Sequence, residues 1–207
     1  KHRGKYGKYD CIVPGSGGKD SCYAAHLLKF KYGMNPLTVT WPPILYTDYG
    51  YKNFKNWIKT GGLKNITAKR NEEIMKLLTK KSILNLLHPF QTFMLGQKVY
   101  PIKCALKYDI PLVFYGENEA ERGNNIKDNL SSLRNNSYHT YENIDSIYLG
   151  GVKYSELLKK FNISPKDLEI FLPPQLKLFK NKSLQVHYLG YFIKWIPQET
   201  FYYSVEN

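Results

Sequence analysis

The chain has 207 residues, 43% of them hydrophobic, enough to bury a full core as one α/β domain with a smaller appendage. No apolar run approaches bilayer-crossing length and no signal peptide is visible, so the expectation is a soluble cytoplasmic protein with no membrane partner. The formal charge of +13 comes from 30 Lys and Arg against 17 Asp and Glu. The cations are nearly all lysine, with Arg3, Arg70, Arg122 and Arg134 the exceptions, so nucleic acid is discounted and an acidic substrate or nucleotide explains the charge as well.

In chain order, residues 1–8 read as a flexible basic lead-in, 9–14 as a first strand and 20–32 as a helix closed by Gly33. Between strand and helix lies Ser16-Gly17-Gly18-Lys19-Asp20-Ser21. A glycine-rich turn into a helix N-terminus aims free backbone N–H groups and the positive end of the helix dipole at one point, which suits a phosphate chain. Two glycines let the backbone approach the anion, and Lys19 adds a mobile charge. A P-loop ending at Gly18-Lys19 needs glycine at Val13 and Ser or Thr at Asp20, and the third glycine of a dinucleotide fingerprint would also fall on Asp20.

Leu37–Trp41 reads as the second strand, stopped by Pro42-Pro43, and Tyr51–Thr60 as a helix with Phe54, Trp57 and Ile58 on one face and Gly61-Gly62 at its end. Residues 65–68 are a short third strand. Ile74, Leu77, Leu78, Leu84 and Leu87 give 71–87 a helical stripe, with Glu72 and Glu73 in its first turn. A helix over 91–108 is interrupted at Gly96 and Pro101, and Ile110–Gly116 is a buried strand. Strands separated by helices imply right-handed crossovers and a parallel sheet, with the loops after Val13, Trp41 and Tyr115 converging at its carboxyl edge. Residues 117–145 turn polar and Asn-rich, a long loop or lid. Two short helices split at 163–165 follow, then an apolar aromatic stretch from Leu184 to Trp195, then a helix start at Pro197-Gln198-Glu199.

Asp20 and Glu117 follow the first and fourth strands at the same end of the sheet and are the acidic groups best placed to hold Mg²⁺ beside a substrate's phosphates; Glu119 reads equally as a solvated loop residue. Thr40 and Trp41 end strand two at the same edge of the sheet, where an indole face or backbone groups could contact a ligand, although Trp41 serves equally as a core residue. Gln97 and Lys98 break an apolar helix pattern and face either the ligands or solvent. Cys11, Cys22 and Cys104 lack paired spacing and the five histidines lack ligand spacing, against a disulfide framework or a zinc ribbon within these residues. His26 reads as a packing or surface residue. The chain lacks an initiator Met and ends without a polar tail, so both ends are expected to be cut, with outside residues completing the site.

The stretch from Ser16 to Ser21 after a buried strand resembles the loop of the PP-loop ATP pyrophosphatases, which cleave ATP between its α and β phosphates and adenylate a carbonyl-type oxygen. Gly116-Glu117-Asn118-Glu119-Ala120-Glu121 looks like the polar, acidic return to the site in those enzymes. Residues 10–14, Thr40-Trp41, Tyr46-Thr47-Asp48, Asn53, Phe90, Gly96-Gln97-Lys98, Phe114–Asn118, Tyr188–Tyr191, Lys194-Trp195 and Pro197–Glu199 together resemble the N-acetyl sugar amidotransferases of bacterial surface-polysaccharide and nonulosonic-acid pathways. The resemblance implies a Rossmann-like parallel sheet of the PP-loop type over 1–135 and a small, mostly helical, substrate-facing extension over 136–207. It implies ATP and Mg²⁺ as cofactors, with Ser16, Gly17, Gly18, Lys19, Asp20, Ser21, Thr40, Trp41 and Gly116 at the nucleotide. Lys19, Asp20 and Glu117 become catalytic, and Gln97, Lys98, Asn118, Glu121 and Arg122 contact an N-acetyl sugar or its phosphates. A glutaminase subunit supplies ammonia, since no cysteine here sits in a nucleophile turn. Zinc is left to residues outside this chain. A PP-loop enzyme that thiolates tRNA or adenylates a base shares the loop and stays in play, as does a non-catalytic nucleotide-binding module.

Overall fold

In the computed structural model, five short strands pair into one parallel sheet, the central three of them apolar or β-branched runs; residues 4, 7–116, 131–134, 139–181 and 183–207 are described. Its strands are β1 (Cys11–Pro14), β2 (Pro36–Thr40), β3 (Lys64–Thr67), β4 (Leu112–Tyr115) and β7 (Gln185–Tyr188), in the order β3-β2-β1-β4-β7. Every pair is parallel, with Ile12 opposite Leu37 on one side and Val113 on the other, and Val113 opposite Val186. Parallel strands need crossovers, and the helices α1 (Lys19–His26), α2 (Asp48–Thr60), α3 (Glu72–Leu86) and α4 (Gln91–Lys107) supply them. A two-stranded antiparallel ribbon, β5 (Tyr148–Leu149) with β6 (Val152–Lys153), stands apart.

The pleat divides the core. Ile12, Leu37, Val39, Val113 and Val186 pack against Ile102, Cys104 and Ala105 of α4, whereas Cys11, Val13 and Leu112 pack against Ala24, Ala25 and Leu28 and the indole of Trp57. Complete burial of a side chain such as Ile12 stabilises the fold by about 1.5–3 kcal/mol. A third cluster joins Met75 and Leu78 of α3 to Leu149, to Leu157 of α5 (Tyr154–Lys160), to Leu168 of α6 (Pro165–Leu168) and to Phe171.

Local chemistry sets the boundaries. Thr47 caps α2, its Oγ1 accepting from the Gly50 N–H at 3.0 Å, and Asn71 caps α3 by accepting from Glu73 and Ile74. Trp57 is buried on α2 as its spacing predicts, with Phe54 and Ile58 half-buried beside it. Leu84 and Leu87, read as part of a buried stripe, are instead 62% and 91% exposed; Met75, Leu78 and Ser82 form the inner face of α3.

The interruption expected at Gly96 and Pro101 does not occur, since α4 runs unbroken through both. Pro101 lacks the N–H that would bond the Gln97 carbonyl, and the Tyr115 hydroxyl donates to that carbonyl at 3.2 Å, so the freed acceptor is satisfied from the end of β4. Gly96 lies where α4 meets Trp41, with no room for a Cβ.

The chain leaves the sheet after β4 and re-enters at β7, so the fifth strand comes from the stretch expected to be a helical extension. That stretch also supplies α5, α6, α7 (Leu176–Asn181) and α8 (Pro197–Glu206). The last of these lies on α1, where the Tyr203 hydroxyl meets His26 Nδ1 at 2.7 Å, which makes His26 the packing residue its position suggested. Among the described residues no helix is long and apolar enough to cross a membrane.

Candidate functional site

The strand order places a topological switch point between β1 and β4. The chain steps outward from β1 through β2 to β3, then returns to the other side of β1 for β4, so the loops leaving these central strands part and open a crevice at their carboxyl ends. A cavity of about 440 Å³ lies there. Loop residues 14–16, Gly18, Asp20 and Ser21 line one side, and Gln97, Lys98 and Pro101 of α4 with Tyr115 and Gly116 another. The expected convergence of the loops after β1, β2 and β4 is present, with Trp41 also on the wall.

The β1–α1 turn is held tightly from behind and left open in front. Gly17 has φ +85, and a Cβ there would lie 2.6 Å from the Phe54 Cα in the α2 backbone. Gly18 is the N-cap of α1 and carries no side-chain cap. The Ser21 hydroxyl donates back to the Gly18 carbonyl at 2.9 Å, which pins the turn and takes no first-turn N–H. A Cβ on Gly18 would meet nothing within 4 Å, so this glycine has no steric reason in the protein itself. Gly116 ends β4 against the first turn of α1, where a Cβ would lie 2.4 Å from the Asp20 carbonyl oxygen.

The remaining expected residues divide. Asp20 lines the cavity and accepts from Lys19 Nζ at 2.6 Å. Lys19 itself lines a neighbouring cavity of about 530 Å³ with Cys22, Asn53, Asn56 and part of α8, and the Ser204 hydroxyl donates to its carbonyl at 3.0 Å. Gln97 is half-buried and Lys98 exposed on the cavity wall. Trp41 is 3% exposed, a core side chain edge-on to Phe171 with one edge at the cavity. Thr40 is buried away from the cavity, its Oγ1 accepting from Asn65. Glu117, Asn118, Glu119, Glu121 and Arg122, with most of the 117–145 loop, lie outside the described residues.

Sequence reasoning missed Arg134, Tyr188 and Met94 on the wall. Arg134 carried one signal, its rarity: a chain that meets its positive charge with lysine keeps arginine where a planar fork is needed. Arg70 shows the structural version, donating to the carbonyls of Pro42 and Pro43 at 2.6 and 2.8 Å while lying over Trp41.

Burial pushes the Cys22 thiol up to about 11, with the Asp20 charge adding to it, and burial pushes Cys104 up to about 11 and raises Cys11. All three stay protonated at neutral pH, unsuited to nucleophilic work. Among the described residues no three His, Cys, Asp or Glu side chains form a metal cluster. The donors that fit Mg²⁺ are the Asp20 carboxylate and the phosphates of a ligand in the cavity, a set that magnesium accepts.

Behind the wall, His139 stacks on Tyr115 with ring centroids 6.4 Å apart. Burial lowers its imidazole to about 4, and the Arg134 and Lys98 charges push the same way. Between that value and 6.5 the unfolded chain holds the extra proton, so stability rises with pH across this window and falls as pH drops through it. His139→Leu is expected to lose about 3 kcal/mol less stability than wild type between pH 7 and pH 4, read from urea midpoints. Equal losses would refute the assignment.

No protein-family model matches the chain, and no curated protein matches it. Among solved structures it is similar to a predicted subunit of tRNA methyltransferase from Methanocaldococcus jannaschii, at 16% identity over 95% of this chain and 74% of that one, with a TM-score of 0.45. It is also similar to NMN synthetase from Francisella tularensis, at 15% identity over 85% of each chain, with a TM-score of 0.39. At these identities and TM-scores the likeness carries no argument about activity or substrate.

Proposed function

We propose that this protein is a PP-loop ATP pyrophosphatase that activates the N-acetyl group of a sugar for bacterial surface glycan synthesis and replaces its oxygen with nitrogen. The observation that carries the nucleotide half of this reading is the uncapped N-terminus of α1 behind Gly18, open toward a cavity at the switch point of a parallel sheet. The acceptor half rests on the sequence resemblance.

An acetamido group is an unreactive amide. Its oxygen attacks the α-phosphorus of ATP, the bond to the β-phosphate oxygen breaks, and pyrophosphate leaves. Ammonia then adds to the activated carbon and expels AMP, which keeps the former amide oxygen; loss of protons gives the acetamidino group. The first-turn N–H groups of α1 and the Lys19 ammonium stabilise charge building on the departing pyrophosphate. Asp20, with Glu117, would hold Mg²⁺, which neutralises phosphate charge when bound. Gln97 and Lys98 orient the acceptor from α4, with Asn118, Glu121 and Arg122 assigned to the same task, and the 117–145 loop shields the adenylated intermediate from water. A separate glutaminase supplies the ammonia.

The test is pyrophosphate release from ATP with Mg²⁺ and ammonium, offering UDP- or CMP-linked N-acetyl sugars against bulk tRNA. Sugar-dependent release is expected, falling by about 10²-fold in Lys19→Ala. Release triggered by tRNA alone would move the protein to nucleic-acid modification, and ATP binding with no release under any acceptor would leave only a nucleotide-binding module.

A further inference from the structure

Where α3 ends and α4 begins, the chain leaves a corner of apolar side chains in water. Ile83, Leu84, Leu86 and Leu87 are exposed at the end of α3, and Phe90 and Met94 at the start of α4. Ile83, Leu84 and Leu87 share one helix face by their spacing, and Phe90 and Met94 lie one turn apart. Together the six present on the order of 600 Å² of surface, the upper end of what a monomer ordinarily leaves bare. Asn85, His88 and Pro89 lie among them and bring the corner close to the ~800 Å² that each partner contributes to a stable pair. Leu87 has no reason within the monomer. Its φ of +61 is left-handed, where a residue ending a helix is ordinarily Gly or Asn, and its side chain is almost wholly in water.

Charge decides what covers this corner. From Ser82 to Gln97 the chain has no Asp, Glu, Lys or Arg, although 23% of all its residues are charged. An acidic partner would be gripped through the lysines that give the chain its net charge of +13, and this run offers none. A second copy has the opposite requirement. A two-fold interface sets a surface against itself, so a lysine inside it would face a lysine. The corner meets that requirement.

We propose that two copies of this chain pair about a two-fold axis through the α3–α4 corner. The pairing does not depend on the nucleotide reading, and Met94, which also lines the cavity, brings the interface to the edge of the candidate site. Cations outside the corner, such as the exposed Lys80 one turn before Leu84, repel across the pair, so salt tightens it.

Sedimentation velocity of the whole chain over a concentration series, at low and at high salt, tests it in wild type, Leu84→Lys, Leu87→Lys and Tyr202→Lys. Wild type is expected to pass from monomer to dimer and no further, and at lower concentration when salt is high. Each corner variant sets two cations against one another and is expected to weaken pairing at least about tenfold. Tyr202→Lys is expected to pair as wild type does, since α8 packs with α1 on the other face of the sheet from α4. All three side chains are exposed, so the variants are expected to melt with wild type. If one corner variant fails to fold, the other decides by the same shift. A wild type that stays monomeric throughout, a dimer untouched by the corner substitutions, or one that loosens in salt overturns the pairing.

Discussion

Gly96→Ala is expected to destabilise the protein by about 3 kcal/mol, roughly 6–12 °C in melting temperature for a chain of this size. A Cβ at this position would lie 2.0 Å from Cε2 and 2.4 Å from Cδ2 of Trp41. The indole cannot swing away, because it packs on Phe171 and Tyr100 and lies under the Arg70 guanidinium. Either α4 or the end of β2 has to move, and both belong to the buried core. Gly18→Ala is the matched control, with open space around its Cβ, and its melting temperature is expected to stay near wild type. If scanning calorimetry finds the two variants equally stable, the close approach of α4 to Trp41 is wrong.

Gly116→Ala is expected to lower ATP-dependent pyrophosphate release by about 10²-fold, through geometry. The new Cβ would lie 2.4 Å from the Asp20 carbonyl oxygen and 2.8 Å from its carbonyl carbon, backbone pressed against backbone. Relief requires separating the end of β4 from the first turn of α1, the two elements that form the crevice. The expected signature is lost turnover with the core retained, so release is measured beside a far-ultraviolet melting curve. Wild-type turnover in the folded variant would remove β4 from the site.

Strands β1, β2 and β4 were legible because each is a largely apolar or β-branched run next to Gly or Pro, and buried parallel strands demand that composition, whereas β3, partly exposed at the sheet edge, showed only Ile66-Thr67-Ala68. The β7 strand was not, since Gln185-Val186-His187-Tyr188 is half polar and runs straight into Leu189-Gly190-Tyr191, with no turn signal between. Gly96 and Pro101 misled for a different reason. Both are helix breakers locally, and here tertiary partners override them, Trp41 filling the space beside the glycine and Tyr115 taking the carbonyl the proline frees. The β1–α1 turn could be read because its glycines, Lys19 and Asp20 lie within six consecutive residues. Arg134 and Tyr188 could not, because they reach the cavity only through pairing between segments distant in the chain.

The hydrogen bond from Ser204 to the Lys19 carbonyl spans 185 positions, and that between Tyr203 and His26 spans 177. A nascent chain grows from its amino end at about 5–20 residues per second, so the loop that would hold a nucleotide leaves the ribosome roughly 10–40 s before the helix that buttresses it. Over that interval Tyr23, His26 and the face of α1 later covered by Trp195 and Tyr203 are bare apolar surface. Assembly of the site thus waits on synthesis through α8, and a ribosome stalled short of position 197 displays the β1–α1 turn without the helix that buttresses it.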